Sequence, residues 1–250
     1  MHRVLDPRRN HTPKLCALAI MTKAPRAGTV KTRLQPPLTA EEAAQLNGCF
    51  LRDIASAIAG VGRQSQGVGV FTPVGTERDY VNILPADFDL IPQRGDNFGE
   101  RLMNAVTDLL GVGFESCCLI NSDSPTVTTD AFCQAVMELQ GAEDHIVLGP
   151  SHDGGYYLIG MRKGYRRLFE DIDWSTECVF AQTMERAREL GLTVHVLTKF
   201  YDVDDAAALR RLCEELLNDS GDVAPATRKF LHEIIAREGN KRLISQPKSG

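Results

Sequence analysis

No apolar run in these 250 residues approaches the ~20 needed to cross a bilayer. The opening stretch MHRVLDPRRNHTP lacks the apolar core of a secretory signal. Positive charge is not in excess either: 28 Lys and Arg stand against 33 Asp and Glu, a formal net charge of -5. That balance argues against a broad basic face for nucleic acid, so any anion site must be local. Cysteine occurs seven times, at Cys16, Cys49, Cys117, Cys118, Cys133, Cys178 and Cys213. None forms a C-x-x-C pair or keeps ligand spacing with histidine, which leaves zinc and thiol-redox readings without support. Most lie in apolar runs such as CCLI and read as small hydrophobes of a reduced, cytoplasmic protein. Repeats, low-complexity tracts and Pro/Gly/Ser-rich linkers are absent too, so nothing divides the chain. Residues 1–13 read as a flexible polar extension, 14–237 as one domain and 238–250 as a fraying tail.

What is present is alternation. The short apolar runs LCALAIM, GVGVFTP, FDLIPQ, SCCLIN, HIVLGP, GYYLIGM and LTVHVLT read as strands. Between and after them stand amphipathic stretches: residues 38–60, 98–113, 128–141, 175–191, 204–218 and 224–238. Thr39, with Glu42 three residues on, makes a capping box for the first helix. Strands alternating with helices predict an α/β fold, a mostly parallel sheet covered on both faces. Ligands of such sheets bind beyond the carboxyl ends of the strands, so polar residues just after strands are the candidates.

Three clusters fit that position. TKAPRAGTVKTRL follows the first strand and carries Lys23, Arg26, Lys31 and Arg33, with Gly28 allowing close backbone approach. It suits a phosphate-holding loop, though it matches neither the Walker nor the dinucleotide fingerprint, and a solvated basic loop would read the same way. LINSDSPTVTTD places Asp123 at the end of another strand, where a carboxylate can hold Mg²⁺ or Mn²⁺ against a diphosphate; a simple turn is the alternative. FYDVDDAAAL crowds Asp202, Asp204 and Asp205 at a late strand-to-helix junction, and one helix cap does not require three carboxylates. A metal shared between Asp123 and Asp204, facing the basic loop, would bring the clusters together around a nucleotide diphosphate.

Two further stretches are rich in glycine. QRGDNFGERL sets Gly95 and Asp96 before a helix. GPSHDGGYYLIGM sets Asp153 before Gly154 and Gly155, either as a tight hairpin turn or as a base or anchor for acceptor hydroxyls. Trp174, the single tryptophan, either packs or stacks on a substrate.

Taken in order, MTKAPRAGTVKTRL, QRGDNFGERL, INSDSPTV, LGPSHDGGYYLIGM, DIDWST and YDVDD resemble a bacterial family of small nucleotide-diphospho-sugar transferase-like proteins, the arsenosugar-biosynthesis-type glycosyltransferases. The resemblance runs from about Leu15 to Leu212. It implies the GT-A fold, a single Rossmann-like α/β/α domain with a mixed, mostly parallel sheet. That superfamily also contains phospholactate guanylyltransferases and molybdenum-cofactor cytidylyltransferases. Carried across, the family pattern assigns Mg²⁺ or Mn²⁺ to Asp123 and Asp204, with Asp202 nearby. It gives the triphosphate to Lys23, Arg26, Lys31 and Arg33; Gly28, Gly95 and Asp96 stand beside them as candidate phosphate contacts from position alone, and Lys31 and Arg33 are expected also to stabilise developing charge. Asp153, Gly154, Gly155 and Trp174 fall to the acceptor, Asp153 as a base. The expected function is metal-dependent glycosyl transfer from a nucleotide sugar to a small-molecule acceptor. The alternatives are nucleotidyl transfer from an NTP to a phosphorylated small molecule, releasing pyrophosphate, and nucleotide binding without catalysis.

Overall fold

The computed structural model describes residues 1–9, 15–141, 144–218, 221–239 and 241–244. The described residues form one eight-stranded sheet: β1 (Arg3–Val4), β2 (Cys16–Lys23), β3 (Ser65–Thr72), β4 (Asp89–Pro92), β5 (Ser116–Ile120), β6 (His145–Pro150), β7 (Tyr156–Met161) and β8 (Thr193–Val196). Across the sheet the order is β1-β4-β3-β2-β5-β7-β6-β8. All neighbouring pairs are parallel except β7 with β5 and with β6. The reversal follows from the connection: Ser151–Gly155 is too short for a crossover, so β7 must return beside β6 as a hairpin. Ser151 N–H donates to the Gly155 carbonyl at 3.0 Å to close it.

Helices α1 (Ala40–Ala59) and α3 (Thr129–Glu138) cover one face, while α2 (Phe98–Gly111) and α4 (Val179–Glu189) cover the other. β2 shows why both faces close. Leu18 and Ile20 point into the α1/α3 layer, Ala17 and Ala19 into the α2/α4 layer, and all four are fully buried. A strand buried on both sides reads as the continuous apolar run seen in the sequence. A third apolar cluster lies between α1, α5 (Ala206–Asn218) and α6 (Pro225–Glu238), with Phe50, Val203, Leu212 and Leu231 at its centre. Asp53 of α1 ties this layer down, accepting from the N–H groups of Ala226 and Thr227 and from the Thr227 hydroxyl. It thereby caps α6, whose own N-cap residue, Ala224, has no side-chain acceptor. The capping box on α1 forms in both directions, at 3.2 Å from Glu42 N–H to Thr39 and 2.9 Å back.

All seven expected strands and six expected helices are present. Two boundaries are corrected. Residues 1–9 do not hang loose: β1 pairs with β4, Leu5 is 2% exposed, and the His2 ring bonds to the Phe88 and Tyr80 carbonyls. Two strand residues carry too little periodicity to announce themselves; tertiary pairing makes them a strand. Likewise α7 (Lys241–Ile244) lies in the expected tail, and its Arg242 forms an ion pair with Glu42 at 2.5 Å. Residues 10–13, 240 and 245–250 of the two expected flexible ends lie outside the described residues.

Candidate active site

The parallel strands β2 and β5 are neighbours at the middle of the sheet, and their carboxyl ends feed the basic loop and the Asn121–Pro125 turn. The residues after β8 reach the same point: Ser151 bridges to Phe200, and Val203 N–H donates to the Asp123 carbonyl at 2.9 Å. Three segments far apart in sequence therefore meet where the topology leaves a crevice.

Lys31 joins all three. Its Nζ lies 2.5 Å from Asp123 Oδ1 and 3.0 Å from Asp204 Oδ1, and donates to the Val203 carbonyl at 2.8 Å. Its side chain is 4% exposed, and the ammonium stands 5.2 Å from the centre of the Phe50 ring. Burial works against the charge, but the two carboxylates outweigh it, and the Lys31 pKa is raised. The backbone here is left-handed, with φ +48°, a conformation uncommon outside glycine.

Two cavities open on this junction. One, of about 540 Å³, is lined by Arg33, Asp123, Asp153, Asp202, Asp204 and Trp174 among others. The other, of about 280 Å³, is lined by Lys23, Lys31, Arg33, Asn47, Asp123 and Asp204. Both are of the order seen for small-molecule sites. Gly155 also lines the larger cavity, and its N–H is held by Asp153 Oδ1 at 2.9 Å. Trp174 packs edge-on against Phe98 at 5.0 Å and also walls the larger cavity.

Asp202 differs from its neighbours. Its Oδ1 accepts from Asn121 Nδ2 at 2.8 Å and from the Ser124 hydroxyl. Burial first, then the charges of Asp153 and Asp123, push its pKa up to about 6, against the pull of those hydrogen bonds. Asp123 and Asp204 share Lys31, whereas Asp202, which lines the same cavity, is bound through Oδ1 into the Asn121–Ser124 turn. Among the described residues no three His, Cys, Asp or Glu side chains gather as a metal-holding group. Two carboxylates still suit Mg²⁺, which commonly takes one or two plus substrate phosphates, and the acidic pair already holds a cation, the ammonium of Lys31. Asp205 is the helix cap, accepting from the N–H groups of Ala207 and Ala208 at 2.8 Å each.

Other expected site residues stay apart. Arg26 pairs with Asp79 at 2.7 Å and lines neither cavity. Gly28 forms an exposed turn with φ +73°. Gly95 accepts from Arg101, and Asp96 N–H is occupied by Glu100, in the turn that starts α2; neither lines the two cavities. Gly154 supports rather than contacts: φ is +89°, and a Cβ there would stand 2.2 Å from the Glu177 carbonyl oxygen. Asn121 and Ser124 could have been suspected, as polar residues ending a strand. Asn47 and Phe50 could not, because inside an amphipathic helix they look like any other buried face.

A single α/β domain built on a mostly parallel mixed sheet is the fold of the nucleotide-diphospho-sugar transferase-like proteins. The chain shares that fold, and residues 62–176 match the family described as "Uncharacterized protein conserved in bacteria (DUF2064)". It resembles a solved structure from Desulfovibrio desulfuricans G20, whose name proposes a nucleotide-diphospho-sugar transferase. The TM-score is 0.79 at 28% identity, over 90% of this chain and 97% of that one. It is also similar to two proteins named 2-phospho-L-lactate guanylyltransferase. That of Methanocella arvoryzae is 26% identical over 85% of this chain and 84% of its own length. That of Methanothermobacter thermautotrophicus is 25% identical over 92% and 97%. No helix among the described residues is long and apolar enough to cross a membrane.

Proposed function

We propose that the chain is a nucleotidyltransferase that joins an NTP to a phosphorylated small molecule and releases pyrophosphate. The observation that carries this is the junction at Lys31, where cations of the first loop face Asp123 and Asp204 beside two substrate-sized cavities. Relatives named guanylyltransferases, aligned over most of the chain, favour nucleotidyl over glycosyl transfer.

In this reading an acceptor phosphate oxygen attacks the α-phosphorus, and the bond from that phosphorus to the bridging α–β oxygen breaks. Lys23 and Arg33 face the charge that grows on the departing pyrophosphate. Preorganised cations of this kind are typically worth ~10²-fold or more each in rate. Asp123 and Asp204 would hold Mg²⁺ or Mn²⁺, which supplies neutralisation of the triphosphate. An acceptor phosphate is largely ionised at neutral pH, so no residue need remove a proton, and Asp153 orients the acceptor with Gly155. All seven cysteines are unpaired, as suits the cytoplasm to which we assign the protein.

One observation favours the second reading, glycosyl transfer. The larger cavity carries Asp123, Asp153, Glu177, Asp202, Asp204 and Asp205 against the cation Arg33. Such a wall welcomes hydroxyls more readily than phosphate, and Asp153 would then serve as base. One incubation separates the two: enzyme and Mg²⁺ with GTP and 2-phospho-L-lactate, or with nucleotide sugars and polyol acceptors. Acceptor-dependent pyrophosphate release supports nucleotidyl transfer. Release of nucleoside diphosphate from a nucleotide sugar, with no pyrophosphate under any condition, overturns it.

A further inference from the structure

An ammonium has three N–H donors and no acceptor. In Lys31 all three have partners: Asp123, Asp204 and the Val203 carbonyl. None is left for a phosphate, although the residue sits in the loop whose composition suits phosphate. Its backbone is held at φ +48°, which costs free energy and persists only where surrounding contacts impose it. Those contacts are the side chain's own and the Leu34 N–H, which donates to the Lys31 carbonyl at 3.0 Å. Thr32 and Arg33 are exposed while Val30 and Leu34 are buried, so the buried ammonium is one of three anchors of this loop.

A divalent ion held by Asp123 and Asp204 would compete with the ammonium for the charge of the same two carboxylates and would repel it at short range. The smaller cavity offers the ammonium a second seat. Asn47 is 3% exposed, its Oδ1 has no hydrogen-bond partner, and it lines this cavity together with Lys31. A buried acceptor left without a donor is rare enough to call for an explanation. Asn47 and Phe50 are three residues apart on α1 and so share a face, and the Lys31 ammonium already lies over the Phe50 ring.

We propose that Lys31 is a built-in counter-ion that a divalent metal displaces. The ammonium holds Asp123 and Asp204 together, then turns within the same cavity to Asn47 Oδ1 and to the phosphate that arrives with the metal. This rests on the reading of Asp123 and Asp204 as the metal-holding pair. Two consequences follow. Metal alone binds weakly, because it must evict an ion pair, and metal and phosphate ligand bind cooperatively. The loop also loosens when metal enters without a phosphate ligand.

The experiment is Mn²⁺ uptake followed by the electron paramagnetic resonance of the free ion, without nucleotide, on wild type and Lys31→Met. Binding at least about tenfold tighter in Lys31→Met supports exchange; equal or weaker binding overturns it. Because the variant could fold poorly, hydrogen exchange of the 27–34 segment is read in wild type with EDTA and with Mg²⁺ alone. Faster exchange in Mg²⁺ is expected, and unchanged or slower exchange overturns the proposal. Repeating the uptake with GTP separates the two levels. No Mn²⁺ taken up by either protein sinks the metal reading itself, whereas uptake with GTP and equal affinities without it sinks only the exchange.

Discussion

Asp202→Asn should stabilise the protein at neutral and alkaline pH and leave it unchanged in acid. The folded structure lifts this carboxyl from the ordinary 3.8 to about 6. Below pH 4 it is protonated in both folded and unfolded chains, and its burial carries no ionic penalty. Between pH 4 and 6 the unfolded chain releases its proton while the folded one retains it, so stability falls as pH rises. Above 6 the loss is complete. At ~1.4 kcal/mol per pH unit it amounts to about 3 kcal/mol. An asparagine keeps an oxygen acceptor for Asn121 and Ser124 and removes the charge beside Asp123 and Asp153. For a chain of this size, that corresponds to roughly 6–12 °C in melting temperature. Thermal unfolding of both proteins in EDTA, from pH 4.5 to 8, should show curves that converge in acid and separate towards pH 8. Equal melting temperatures at pH 8, or a less stable variant there, would refute the reasoning; the hydrogen bonds would then outweigh the desolvation that the burial implies.

Two further outcomes follow from the same geometry. Gly154→Ala forces a Cβ against the Glu177 backbone at a positive φ; it should cost more than about 1 kcal/mol and weaken acceptor binding, seen by urea unfolding and by KM. Arg33→Ala removes a cation that lines both cavities and should lower kcat/KM ~10²-fold. Arg26→Ala, whose side chain is spent on Asp79, should change it less than about twofold. Equal losses in the two variants would show that the loop acts by net charge and not by position.

Local pattern was enough to mark most of the elements. LCALAIM could only be a strand buried on both faces, because its apolar residues are continuous and few. Thr39 with Glu42 marked the start of α1, and Asp-Gly-Gly marked the hairpin, each through chemistry confined to four or five neighbouring residues. Asp123, Asp153, Asp204 and Arg33 were legible as candidates by the same logic, each sitting just after an apolar run or beside a glycine turn. β1 and α7 were not legible. Two and four residues are too few for periodicity, and partners 86 and about 200 positions away hold them in place.

The site shows the same division. Sequence determined which residues were charged and near strand ends, since those properties belong to single residues and short windows. Only the tertiary structure decided which of them meet. Arg26 and Lys31 look alike in the loop, yet one is taken by Asp79 and the other by Asp123 and Asp204. Asp202, Asp204 and Asp205 look alike in the junction, yet they serve a buried turn, an ammonium and a helix cap respectively. Coulomb energy and hydrogen bonding depend on separation and burial in space, and the distance along the chain carries neither.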